Sequence, residues 1–120
     1  MKHIRKILPA LLMLGLVTHV TSTALAQEQI RTIEIHARRY AFSPAEITLK
    51  KGETVKLRLL SDDVAHSLVI PGLQIRQEIP KGRPAEVTVT PNSSGDFRGE
   101  CGRFCGSGHG SMLFTVHVKD

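Results

Sequence analysis

Apolar and polar residues alternate with a period of two along most of the chain after its first 30 positions. Residues 33–37, 55–59, 85–89 and 112–118 each place an apolar side chain at every second position. Successive side chains of a strand point to opposite faces, so this spacing predicts half-buried strands. Clusters of Pro, Gly, Asn and Ser separate the segments, and no helical period appears. The pattern predicts an all-β domain, a small Greek-key β-sandwich or barrel.

The first 26 residues have a different pattern. Three basic residues precede an apolar run from Ile7 to Val20, and Ala24-Leu25-Ala26 supplies the small residues of a cleavage site. The run is shorter than the roughly 20 residues that a membrane-spanning helix requires. These features predict a secretory signal peptide at 1–26, cleaved after Ala26, and a periplasmic or secreted domain at 27–120 with no stable membrane span. A retained N-terminal anchor is the alternative.

Removal of this segment changes the charge of the protein. The full chain has 16 Lys and Arg against 11 Asp and Glu, a formal charge of +5. The segment contains three basic residues and no acidic one, so the mature domain has a formal charge of +2. Nucleic-acid binding requires a concentrated basic face. We therefore expect no nucleic-acid partner.

Strand parity separates the histidines of the mature chain. His36 and His117 fall on the polar faces of their strands, and we expect both to be exposed. His66 shares parity with Ile70 and is expected to point inward. An isolated buried imidazole is more often a hydrogen-bonded core group than a metal ligand. Asp63 is either a surface carboxylate or a hydrogen-bond partner that steadies the loop bearing His66.

The stretch GECGRFCGSGHGSM contains a concentrated set of sulfur and nitrogen donors. Cys101, Cys105 and His109 lie in this Gly-rich loop, and Met112 lies at its end. The parity of Met112 with the following strand points its sulfur toward the core, and His66 can complete the set from a neighbouring strand. Thiolates, imidazoles and a thioether are soft ligands that suit copper better than a hard cation. The residues therefore predict a copper site.

The same residues allow other sites. A mononuclear type 1 (blue) copper site can use His66, Cys105, His109 and Met112. A structural zinc site can use Cys101, Cys105, His66 and His109, but leaves Met112 without a role. A disulfide between Cys101 and Cys105 is the simplest state in an oxidising compartment. A periplasmic copper chaperone or copper-storage protein also remains possible, since sequence does not reveal how fast a metal exchanges.

The order of the donor residues resembles the dinuclear CuA motif of cytochrome c oxidase subunit II and of the cupredoxin domain of nitrous oxide reductase. The segments at 63–66 and 101–112 carry the resemblance, and Phe42-Ser43-Pro44 and Ile70-Pro71-Gly72-Leu73 stand where those domains have similar residues. The similarity extends over nearly all of 32–118. It implies a cupredoxin-like fold.

The resemblance also implies a ligand set for two copper ions. The implied ligands are the bridging sulfurs of Cys101 and Cys105, His66 and Met112 on one copper, and His109 and the backbone carbonyl of Arg103 on the other. Every metal position is filled by protein, so no site remains open for a substrate. The implied role is single-electron transfer between redox proteins, not catalysis by the domain itself. A c-type cytochrome or a terminal oxidase or reductase is the implied partner.

Overall fold

The computed structural model describes residues 29–120 continuously, together with residues 15, 17 and 19–22. Most of the predicted signal peptide at 1–26, and the predicted cleavage position after Ala26, lie outside the described residues. Within the part of the chain that the structure describes, no helix is long and apolar enough to cross a membrane.

Two β-sheets face each other in residues 29–120. Their nine strands are β1 (Arg31–Arg38), β2 (Ala41–Ser43), β3 (Glu46–Lys50), β4 (Val55–Ser61), β5 (His66–Ile70), β6 (Ile75–Ile79), β7 (Ala85–Val89), β8 (Gly95–Glu100) and β9 (Leu113–Lys119). One sheet has the order β2-β1-β4-β7 and the other the order β3-β9-β8-β5-β6. β1 pairs with β4, and β3 with β9, in parallel; the other pairs are antiparallel. This architecture confirms the predicted all-β sandwich.

The core lies between the sheets and is filled by the alternating apolar residues. Ile35, Leu57 and Leu59 from one sheet and Phe114 from the other are almost completely buried. Phe114 packs edge-on against Phe42, with the ring centroids 5.8 Å apart. The side-chain parity predicted for 33–37, 55–59 and 112–118 is confirmed, because these residues alternate between buried and more exposed positions.

Three short strands, β2, β3 and β6, had no counterpart in the predictions. All three lie at the edges of their sheets. They contain only three to five residues. β2 has too few positions for a clear pattern, and β6 has three polar residues between its two buried isoleucines, so both depend on the neighbouring strand to which they pair. β3 does alternate between exposed and buried residues, as the predicted strand at 85–89 does, and could have been recognised.

His36 and His117 lie outside the core, as predicted, and each contacts two carboxylates. His117 on β9 places Nδ1 2.7 Å from Asp96 on β8 and Nε2 3.4 Å from Glu46 on β3. His36 lies in the same way between Glu34 and Asp62. The His117 group therefore connects three adjacent strands on the outer face of one sheet.

We expect the His117 contacts to stabilise the fold in a pH-dependent way. The hydrogen bond to Asp96 and, to a smaller extent, the hydrogen bond to Glu46 raise the pKa of His117 above its usual 6.5. The stabilisation is complete below the unfolded pKa and is lost as the pH rises through the higher folded pKa. The free energy of unfolding in urea should thus be lower for His117→Gln than for wild type, and this difference should be larger at about pH 5.5 than at about pH 9. An equal difference at both pH values would contradict this prediction.

Candidate metal centre

Three neighbouring strands bring the predicted donor residues to one end of the sandwich. β5 begins at His66, β8 ends one residue before Cys101, and β9 begins one residue after Met112. These strands are adjacent in the order β9-β8-β5. The Cys101 backbone N–H donates to the Met112 carbonyl at 3.2 Å, which closes the base of the loop between β8 and β9. The sheet order therefore places the histidine of β5 beside a loop that starts 35 residues later.

The two cysteines and His66 form a compact buried cluster. Their ligand atoms lie within 4.8 Å of one another. His66 is fully buried, and Cys101 and Cys105 are 2% and 6% exposed. The Cys101 Sγ lies 3.9 Å from His66 Nδ1 and 3.1 Å from the Arg103 carbonyl oxygen.

The remaining two donor residues lie beside the second cysteine. The Cys105 Sγ is 3.8 Å from His109 Nδ1 and 3.4 Å from Met112 Sδ. Met112 is fully buried, which confirms the inward parity expected from its place before β9. The four other residues that the motif singled out thus surround the sulfurs of Cys101 and Cys105.

Asp63 determines which nitrogen of His66 faces the cysteines. Its Oδ1 lies 2.7 Å from His66 Nε2. Burial acts to raise the pKa of the Asp63 carboxyl, but hydrogen bonds from the Arg39 backbone N–H, the His66 ring and the Val64 backbone N–H outweigh it and lower the pKa to about 2. An ionised carboxylate only accepts hydrogen bonds, so Nε2 donates; in the neutral imidazole this leaves the Nδ1 lone pair facing Cys101. The hydrogen-bonding role considered for Asp63 is confirmed.

The electrostatics of the sulfur pair favour a bound cation. Burial raises the pKa of the Cys105 thiol, the adjacent Cys101 raises it further, and Arg39 acts in the opposite direction. Two neighbouring thiolates repel each other in a buried site unless a positive charge lies between them. A pair of thiols, two imidazoles and a thioether are soft donors. The donor set and its burial therefore fit copper.

Tyr40, which sequence reasoning missed, packs beneath the loop that carries Cys105 and His109. A Cβ atom added at Gly106 would collide with the Tyr40 hydroxyl, and one added at Gly108 would collide with the Tyr40 ring. Ser67 was also missed; its buried Oγ accepts a hydrogen bond from the Gly102 backbone N–H at 2.9 Å. These contacts join residues far apart in the chain, so no local motif could have indicated them.

We expect Gly108→Ala to destabilise this loop and Gly110→Ala to leave it almost unchanged. The Gly108 Cβ would meet three Tyr40 ring atoms, whereas a Cβ at Gly110 has no atom within 4 Å. Overpacking of this kind costs about 1–3 kcal/mol. Urea unfolding of the two metal-free variants measures the difference. Equal stabilities would show that the loop moves off Tyr40 without strain.

The comparisons with known proteins agree with this geometry. A family model for the cupredoxin-like domain matches residues 10–113. A probable cytochrome c oxidase subunit 2 of Streptomyces avermitilis is 41% identical over 70 residues, which cover 58% of this chain and 22% of that protein. The cytochrome c oxidase subunit 2 of Thermus thermophilus is 29% identical over 89 residues, covering 74% of this chain and 66% of that protein. The chain thus spans about a fifth of the first relative and about two thirds of the second.

A solved structure shares the fold. The periplasmic domain of subunit II of cytochrome oxidase (CoxB) of Bradyrhizobium japonicum superimposes with a TM-score of 0.70 at 16% identity, covering 80% of this chain and 88% of that one. The two sheets, the buried cluster of one histidine and two cysteines, and the matching family model all lead to one assignment. The chain belongs to the cupredoxin-like domain family and is homologous to cytochrome c oxidase subunit II.

Proposed function

We propose that this protein is an exported electron-transfer protein with a dinuclear CuA-like copper centre, which passes single electrons between redox proteins. The observation that carries the proposal is the grouping of four further donors around two buried cysteine sulfurs in a homologue of an oxidase subunit. The proposed ligands are His66, Cys101, the Arg103 backbone carbonyl, Cys105, His109 and Met112. A bound copper pair supplies one-electron redox chemistry.

The arrangement of donors supports two copper ions shared by the sulfurs. Cys101 has a nitrogen and a carbonyl oxygen beside it, and Cys105 has a nitrogen and a thioether beside it. In the proposed centre His66 and Met112 would hold one copper, His109 and the Arg103 carbonyl would hold the other, and both cysteine sulfurs would be shared. Each sulfur has beside it one donor assigned to each copper, which is the distribution that shared sulfurs need.

The buried donors favour this proposal over the alternatives. A type 1 copper site would leave the buried Cys101 thiol unused at 3.9 Å from His66 Nδ1. A zinc site would leave the Met112 sulfur unused at 3.4 Å from Cys105 Sγ. A copper chaperone needs ligands that a partner can reach, but His66, Cys101 and Met112 are at most 2% exposed. An electron carrier, in contrast, benefits from a closed site that retains its metal.

The proposed partners are separate redox proteins, such as a c-type cytochrome or a terminal oxidase or reductase, that meet the protein in the periplasm or outside the cell. Cleavage after Ala26 would release residues 27–120 as the mature carrier. Phe104 is 77% exposed beside the centre, and its ring lies 5.9 Å from that of His109. It provides an apolar surface at which a partner can approach the metal closely.

Electron paramagnetic resonance and visible spectroscopy on residues 27–120, reconstituted with copper, test the proposal. We expect a purple protein whose hyperfine structure requires two equivalent copper nuclei. Hyperfine structure from one copper, or a colourless protein, would contradict the dinuclear centre. Cycles of reduction and oxidation in the presence of a modest chelator separate a carrier, which retains its copper, from a chaperone, which releases it.

A further inference from the structure

Arg39, at the turn between β1 and β2, contacts both segments that carry the proposed ligands. Its backbone N–H donates to Asp63 Oδ2 at 2.7 Å, and the other oxygen of that carboxylate holds His66. Its side-chain Nε donates to the Cys105 carbonyl oxygen, also at 2.7 Å. One residue outside the metal-binding motif therefore connects the start of β5 with the loop between β8 and β9.

The guanidinium of Arg39 is bound differently from those of three other arginines of the domain. Arg31, Arg58 and Arg103 each form an ion pair with a carboxylate on the protein surface. Within residues 29–120, the Arg39 side chain forms no ion pair, and its hydrogen-bond acceptor is a neutral carbonyl. Arg39 thus places a positive charge next to Cys105, and no carboxylate in residues 29–120 pairs with that charge.

We infer that Arg39 is a positioning residue for the metal centre, whose guanidinium fixes the Cys105 carbonyl and places a positive charge that raises the reduction potential. This inference rests on the proposed function. Reduction removes one positive charge from a copper centre, so a nearby cation stabilises the reduced state more than the oxidised state. A hydrogen bond from a charged donor to a backbone carbonyl also restricts the loop more than a neutral one.

Substitution of the side chain separates these two effects. Arg39→Gln removes the charge but keeps the backbone N–H that binds Asp63. Arg39→Lys keeps the charge but loses the Nε–H that donates to Cys105. Arg38→Gln is the matched control, because Arg38 is the preceding residue, is exposed as Arg39 is, and forms no side-chain hydrogen bond or ion pair with any residue in 29–120.

Two measurements on the mature protein test the inference. Voltammetry of the copper-loaded variants at low ionic strength should show a lower reduction potential for Arg39→Gln, and values close to wild type for Arg39→Lys and Arg38→Gln. The shift should shrink at about 1 M salt, where charges are screened over about 3 Å. Amide hydrogen exchange of the metal-free protein should show faster exchange in residues 105–109 for both Arg39 variants but not for Arg38→Gln.

The outcomes distinguish this inference from the proposed function. If wild type forms the copper pair and Arg39→Gln has an unchanged potential, the charge effect is wrong and the proposed function stands. A potential equally low in Arg39→Lys and Arg39→Gln would also overturn the charge effect. If wild type forms no copper pair, the proposed function fails, and the exchange measurement still decides the positioning role. Unchanged exchange in both Arg39 variants would overturn that role.

Discussion

Replacement of Cys101 by serine is expected to abolish the paired copper centre. Cys101 is one of only two sulfurs placed to bridge two metals, and its Sγ lies next to both His66 and the Arg103 carbonyl. A hydroxyl is a hard donor that does not replace a bridging thiolate. We expect the purple colour to disappear, and the copper content to fall to about one ion or none, held by the remaining type 1 donor set. Metal analysis and paramagnetic resonance measure both changes.

Ser107→Ala is the matched control for this experiment. Ser107 lies in the same loop and is exposed, so removal of its hydroxyl leaves the buried sulfurs undisturbed. This variant should load two copper ions as wild type does. A Cys101→Ser protein that keeps the wild-type spectrum would contradict the assignment of Cys101 as a bridging ligand. Loss of colour in Ser107→Ala would mean that the loop, not the thiolate, controls the spectrum.

Replacement of His66 by alanine is expected to have the second largest effect. This imidazole is fully buried, and Asp63 directs its Nδ1 at Cys101 Sγ, 3.9 Å away. Loss of a partner outside the ligand set typically lowers metal affinity about 10–100-fold, so loss of the ligand itself should lower it by more than about 100-fold. Copper competition with a chelator of known affinity measures the change.

His117→Ala and His36→Ala are controls for the second experiment. Both histidines lie on outer faces of the sheets, with carboxylates as their partners. Both variants should bind copper with the affinity of wild type. Copper loss from either variant would show that the histidine contributes to copper binding and that its assignment from strand parity is wrong. Retention of copper by His66→Ala would remove His66 from the ligand set.

Much of the fold and of the site could be predicted from local patterns. Parity with β9 placed Met112 on the inner face, and it is fully buried. Parity along β5 placed His66 inward; because every residue of β5 is buried, the observation that supports this is the contact of His66 with Cys101. This succeeded because a strand has a period of two, so one known inward position determines the others. The spacing of Cys101, Cys105 and His109 succeeded for a similar reason, since all three lie within one short loop.

Long-range contacts could not be predicted in this way. Arg39 and Tyr40 follow β1, more than 60 residues before Cys105, yet they hold the loop through a carbonyl hydrogen bond and through ring contacts with two glycines. Their own neighbours in the sequence contain no sign of these partners. The edge strands β2 and β6 were missed because pairing with an adjacent strand, and not their own pattern, establishes them, whereas the alternation in β3 was overlooked.

The order of amino acids was therefore sufficient for the all-β class, the inward histidine and methionine, and the soft donor set, because each depends on a local period or on residues in one loop. The spatial packing added the contacts that close the site: Asp63 on His66, Arg39 on the Cys105 carbonyl and Tyr40 beneath Gly106 and Gly108. These contacts depend on which strands become neighbours in the sheets. The order of the strands is set by burial of the whole core between two sheets, a property that no single segment contains.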